Sequence, residues 1–205
     1  MPGWEIVGKE EQSKINQIFT KSGGVMFAHA FEKQRNNIFR VRIFEKKISQ
    51  FLKTKFCLAC TSGTMAQYIA MKALGVKRGD EVITQAFTFV ATAEAIIALG
   101  AKPVFVNIDF SLNMCPKDLI KKITKKTKII IPVPMLGNQT IINVIKKIAK
   151  NKKIAVLEDA CEAFGARQNN KYVGTQTDVG IYSLDFAKTI TTGEGGLIVT
   201  NKKNW

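Results

Sequence analysis

Three segments set reactive side chains beside apolar runs, and each admits a chemical use. Lys188 follows the run 180–186 after a single residue, Ala187, with Ser183 five residues before it. A lysine beside an apolar strand is stripped of part of its water, which frees its amine for Schiff-base chemistry. Lysine is ordinarily a solvated surface charge, and that reading suits most of the lysines here. What singles out Lys188 is the run after it, Thr189-Ile190-Thr191-Thr192-Gly193-Glu194-Gly195-Gly196. A glycine-rich loop of this kind lets backbone pass close to another group. The second segment, Glu158-Asp159, closes an apolar run and leads into Ala160-Cys161-Glu162. A carboxylate there is costly to bury without a positive or hydrogen-bonding partner. A protonated ring nitrogen would serve, and so would the open N–H groups of a short helix that the acid caps. The third segment, Thr61-Ser62-Gly63-Thr64, opens a helix-like stretch. Its backbone N–H groups could cradle a phosphate, or its hydroxyls could simply cap the helix.

These residues need a frame, and the hydropathy pattern supplies one. Seven apolar, β-rich runs occur at 56–61, 81–86, 102–108, 127–135, 153–159, 180–186 and 195–201. Amphipathic stretches such as GTMAQYIAMKAL and NVIKKIAKN lie between the first five. Near-continuous apolar strands separated by helices predict a parallel sheet covered on both faces. The last two runs are joined only by AKTITTGE, too short for a helical crossover, so they are expected to pair antiparallel. The fold class is therefore α/β, three layers (α/β/α) around a mostly parallel seven-stranded sheet. In such sheets ligands bind at the carboxyl ends of the strands, where all three segments fall. Residues 1–55 differ: two helix-like stretches, GKEEQSKINQIF and FRVRIFEKKISQFLKTK, flank the turn SGGV and the polar EKQRNN.

A chain of 205 residues suits one generous domain. No apolar run approaches the ~20 residues that cross a bilayer, and MPGWEIVGKEEQSK lacks the apolar core of a secretory signal; the cytoplasm is the expected compartment. Cys57 and Cys60 form a C-x-x-C, a spacing used for zinc or redox chemistry. No second such pair exists and the single histidine, His29, is distant, so no metal site is expected. In the run FCLAC both read as small core residues. The net charge of +15 admits nucleic-acid binding. The lysines are spread along the chain, however, as in KKITKKTK and KKIAKNKK, with no nucleic-acid-binding motif beside them. An anionic small substrate fits the same surface.

Taken together the segments resemble a family. TSGTMAQYIAMKALGVKRGDEVITQAFTFVATAEAI, GAKPVFVNID, LEDACEAFGA and VGTQTDVGIYSLDFAKTITTGEGGLIVTN, preceded by MPGWEIVG and RVRIFEKKI, stand in one order and spacing. That order is similar to the DegT/DnrJ/EryC1/StrS sugar aminotransferases, within the fold-type-I pyridoxal-phosphate enzymes, over nearly the whole chain. The resemblance implies an arm and lead-in helix over 1–55 and a cofactor-binding large domain over 56–205. It implies pyridoxal 5'-phosphate as cofactor, with Lys188 as the Schiff-base lysine and Asp159 as the acid pairing with the ring nitrogen. Ser183 and the Gly63-Thr64 backbone would cradle the phosphate, and Phe89 would stack on the ring. Glu162 stands where the family often has a glutamine contacting the ring 3-hydroxyl. Phe164 and Pro134 stand where histidines are frequent. Some members carry histidine in place of the lysine and act as dehydratases, and Lys188 argues against that branch.

The resemblance further implies glutamate as amino donor, a keto or aldehyde sugar as acceptor, and a homodimer completed by a smaller C-terminal domain. The opening residues look most like 8-amino-3,8-dideoxy-octulosonate transaminases of lipopolysaccharide biosynthesis, with a nucleotide-linked hexose the rival substrate. The chain stops at NKKNW directly after a strand, without a closing helix, so the small domain is expected to be missing from it. Two other readings stand beside this one: a pyridoxal-phosphate enzyme of another reaction type on the same scaffold, and a non-catalytic, basic nucleic-acid-binding protein.

Overall fold

The apolar runs form strands because branched side chains pack well on a pleated surface buried on both faces. In the computed structural model, which describes residues 3–138 and 141–203, the strands are β1 (Phe56–Cys60), β2 (Glu81–Gln85), β3 (Lys102–Val106), β4 (Thr127–Ile131), β5 (Ala155–Asp159), β6 (Arg167–Gln168), β7 (Lys171–Tyr172), β8 (Val179–Ser183) and β9 (Gly196–Thr200). The helices are α1 (Lys9–Lys21), α2 (Arg40–Leu52), α3 (Gly63–Ala73), α4 (Val90–Ala98), α5 (Pro116–Lys122) and α6 (Ile142–Lys152). The expectations resting on the first two residues of MPGWEIVG and the last two of NKKNW lie outside the described residues.

Seven strands form one sheet in the order β1-β9-β8-β5-β4-β2-β3. β2, β3, β4, β5 and β8 pair parallel, while β9 runs antiparallel to both β8 and β1. The mostly parallel seven-stranded sheet and the antiparallel closing pair are as the sequence predicts. Helices cover both faces. On one side α3 and α4 bury Ala66, Ala70, Met71 and Ile96 against Leu157 and Ile181. On the other, α5 and α6 bury Leu119 and Ile145 against Ile83 and Ile130, and α2 buries Ile48 and Leu52 against Tyr182 and Val199. The lead-in helix α2 is thus part of the packed layer, whereas no residue of α1 is buried. Among the described residues no helix is long and apolar enough to cross a membrane.

Several local expectations change, and the run 127–135 is a strand only over Thr127–Ile131. The run 180–186 stops being a strand at Ser183, because the Leu184 N–H donates to the Gly195 carbonyl and the Asp185 N–H to Ser183 Oγ, turning the chain. No helix follows Asp159: the Cys161 N–H donates back to Asp159 Oδ1 at 3.2 Å, closing a tight turn instead. The small antiparallel ribbon β6–β7 was not legible, since each strand has only two residues. The cysteines of the C-x-x-C lie three apart on β1 and so leave opposite faces. Cys57 packs toward α2 and Cys60 toward α3, both half-buried rather than fully enclosed.

Strand β8 carries the lysine loop, and its own seating depends on Gly180. A Cβ there would run into the Gly174 backbone carbonyl. Gly180→Ala is therefore expected to destabilise the fold by about 2 kcal/mol or more, read as a lower urea midpoint at unchanged slope.

Candidate active site

Every segment singled out in the sequence ends up at the carboxyl end of the parallel strands. There a cavity of about 440 Å³ is lined by Gly63, Thr64, Phe89, Asp159, Glu162, Ser183 and Lys188 together. Residues distant in sequence meet because β1, β5 and β8 run the same way and their exits share one edge of the sheet.

Asp159 is the last residue of β5 and only 3% exposed. Side chains alternate along a strand, so Asp159 faces α3 and α4 with Leu157, and Glu158 faces the opposite layer. Asp159 Oδ2 accepts hydrogen bonds from Gln67 Nε2 of α3 at 2.7 Å and from Thr92 Oγ1 of α4 at 3.0 Å. Thr88 Oγ1 lies 3.0 Å from Thr92 Oγ1 and extends the network. Burial holds the Asp159 carboxyl above the usual carboxylate range, opposed by hydrogen bonds from Cys161 and Thr92 and by the charge of Lys188. Burial also pushes the Cys161 thiol well up, with the neighbouring Asp159 charge adding to it. Glu158 on the far face is pushed up to about 7 by burial, opposed by the Gly174 and Gln176 backbone and by Lys146.

The cavity's second wall is the start of α3. Ser62 caps this helix, its Oγ accepting from the Met65 N–H at 3.1 Å. Gly63 and Thr64 are the first two helical residues, so their N–H groups have no intrahelical acceptor and point out of the helix end. A Cβ on Gly63 would lie 3.0 Å from Ser183 Cβ and 3.1 Å from Cys161 Sγ. Only glycine lets the helix end come this close to β8 without displacing its neighbours. The two sequence readings of this segment are compatible: the capping hydroxyl is Ser62, and the free N–H groups belong to the residues after it.

Lys188 enters from the loop after β8. Its Nζ lies 3.4 Å from Glu162 Oε1, and Glu162 Oε2 accepts from the Leu136 N–H at 3.3 Å. The loop is held from outside by the N-terminal turn Gly3–Ile6. The Gly3 N–H donates to the Lys188 carbonyl at 2.5 Å, and the Trp4 ring stacks on Phe186 at 5.9 Å between centroids. Phe89, at the start of α4, presents a largely exposed ring to the cavity.

Sequence reasoning missed Gln67 and Thr92. A signal for Gln67 existed: it lies on the buried stripe of α3 with Gly63, Ala66, Ala70 and Met71, where a polar residue requires a partner. Thr92 carried no comparable signal, since threonine is unremarkable in a helix's first turn.

A buried acid, an amine and an open helix end around one cavity form a site for an anionic ligand with a cationic centre. Comparison with known proteins identifies relatives of the chain. Residues 32–205 match the DegT/DnrJ/EryC1/StrS aminotransferase family. The chain is 40% identical over 164 residues to the GDP-perosamine synthase of Escherichia coli O157:H7, covering 80% of this chain and 45% of that protein. It is 43% identical over 159 residues to the UDP-2-acetamido-2-deoxy-3-oxo-D-glucuronate aminotransferase of Pseudomonas aeruginosa, covering 77% of this chain and 44% of that one. In structure it is similar to the aminotransferase from Psychrobacter cryohalolentis, with a TM-score of 0.88 and 30% identity over 98% of this chain and 49% of that one. The chain thus spans about half the length of the relatives it matches. It belongs to the DegT/DnrJ/EryC1/StrS aminotransferase family.

Proposed function

We propose that this chain is the cofactor-binding region of a pyridoxal-phosphate-dependent sugar aminotransferase, with Lys188 as the residue that holds the cofactor. The observation carrying this reading is that the Lys188 amine and the buried Asp159 carboxylate open into one cavity beside the free N–H groups of α3. The residues fit the group. A carboxylate with so little solvent needs a cation, and a protonated pyridine nitrogen supplies one. The close approach of Gly63 to Ser183 leaves backbone donors and a hydroxyl where a phosphate would sit. The exposed Phe89 ring offers a stacking face.

Each residue then has a task. Asp159 would accept the ring N–H and keep that nitrogen protonated. Gly63, Thr64 and Ser183 would hold the phosphate, and Phe89 would offer the ring a stacking face. Glu162, 3.4 Å from the Lys188 amine, would contact the ring hydroxyl. When bound, pyridoxal phosphate supplies an electron sink for the carbon that loses a proton. Lys188 would hold the cofactor through its amine, and the same amine, when free, would serve as base and acid for the proton at the reacting carbon.

The donor in this reading is glutamate and the acceptor a keto or aldehyde sugar, either nucleotide-linked or a 3-deoxy-octulosonate, in cell-surface polysaccharide biosynthesis. The net charge of +15 suits such an anionic sugar, and the GDP- and UDP-sugar names of the relatives favour the nucleotide-linked form. Residues 1–55 serve as arm and lead-in helix, residues 56–205 as the large domain, and the working enzyme is a cytoplasmic homodimer with a small C-terminal domain.

Two outcomes are expected. Borohydride reduction of the chain with pyridoxal phosphate should leave a phosphopyridoxyl adduct on the Lys188 peptide, found by mass spectrometry and lost in Lys188→Ala. An adduct scattered over surface lysines would sink the assignment. Asp159→Asn should weaken cofactor binding about 30-fold or more, as expected when one partner of a buried charge pair is removed, measured by absorbance titration.

A further inference from the structure

The Asp159 network contains a residue that the proposed mechanism does not use. Gln67 is 2% exposed, lines the cavity, and donates from Nε2 to Asp159 Oδ2 at 2.7 Å, the shortest contact the carboxylate makes. A weaker contact runs from the same nitrogen to Thr92 Oγ1 at 3.4 Å. Its other end is unpaired among the described residues: Gln67 Oε1 is buried without a hydrogen-bond partner. A buried amide oxygen left unpaired is a cost, and turning the amide over would not remove it. The turn would set Oε1 against the carboxylate oxygen and strand the NH₂ instead. The orientation with Nε2 on Asp159 is therefore the one that an ionised carboxylate selects.

We propose that Gln67 is a positioning residue that clamps the Asp159 carboxylate, turning its free lone pairs toward the cavity and holding it in the charged form that a cationic ring nitrogen requires. The inference rests on the pyridoxal-phosphate reading. It assigns to α3 a second role, since the helix whose first turn faces the phosphate site also carries the clamp one turn further in. The other groups facing Asp159 are Thr92 from α4, Cys161 from the turn after β5, and Lys188 from the loop after β8. Among the described residues Lys188 is the cation facing Asp159, and the neutral donors add to it in holding the carboxylate ready for a cationic ring nitrogen.

The test uses Gln67→Met, which keeps the length of the side chain and fills the same space without a donor. Pyridoxal phosphate binding to the full chain is followed by absorbance across pH, with the melting temperature of the cofactor-free protein as a check on folding. Loss of a hydrogen bond to a charged group should weaken binding about tenfold to a hundredfold. The acid limb of binding should move to higher pH, because the ionised carboxylate has lost a donor and takes up a proton more readily. In an Asp159→Asn background the same change should have little further effect, since the two residues act as one unit. A Gln67→Met protein that binds as tightly as wild type, or one weakened equally in both backgrounds with its acid limb unmoved, would overturn the clamp. If the wild-type chain bound no pyridoxal phosphate, the functional reading would fall first and the clamp with it.

Discussion

Placing a carboxylate at the buried end of β5 imposes the constraint on which the rest of the site depends. Burial opposes the charged form of Asp159, so the fold must bring donors to it from elements far apart in sequence. Gln67 arrives on α3, Thr92 on α4, and the Cys161 N–H on the turn that leaves β5 itself. Lys188 adds a positive charge from the loop after β8. No two of these elements are local neighbours apart from β5 and its own turn. Their meeting requires the parallel sheet, which points the exits of β1, β2, β5 and β8 the same way.

The same edge shows why the glycines fall where they do. α3 must start close enough to β8 for its open N–H groups to face the cavity, and Gly63 permits that approach to Ser183 and Cys161. After β8 the chain turns at Leu184 and returns as β9, which slots antiparallel between β8 and β1. The short return leaves Lys188 on a tight loop rather than a helix. That loop is tied inward by the Leu184–Gly195 backbone bond and outward by Gly3 and the stacked Trp4–Phe186 pair. The lysine is thus held at both ends of its loop while its side chain stays only partly exposed.

Much of the architecture was legible because it is local. All seven strands of the main sheet and the amphipathic helices α1, α2, α3 and α6 follow from apolar runs and 3.6-residue periodicity. The antiparallel pairing of β8 and β9 follows from the brevity of their connection. The β6–β7 ribbon escaped because two-residue strands have no periodicity to read. The turn after Asp159 escaped because an acid before a small residue reads equally well as a helix cap.

At the candidate site the division is sharper. By itself the chain's sequence determined that an acid, an amine and a glycine-bearing helix start would stand at the strand ends, since each lies beside an apolar run whose identity is local. It left open which of two adjacent acids, Glu158 or Asp159, would face the cavity, which hydroxyl of Thr61-Ser62-Gly63-Thr64 would cap α3, and which polar residue of α3 would be drawn inside. Only the assembled sheet decided these. Side-chain alternation becomes a choice between faces once each face has a particular helix packed on it, and a hydrogen bond such as Gln67 to Asp159 spans 92 residues of sequence. Such a contact has no local cause: it exists because two apolar surfaces, packing elsewhere along α3 and β5, fix the distance between the polar groups at their ends.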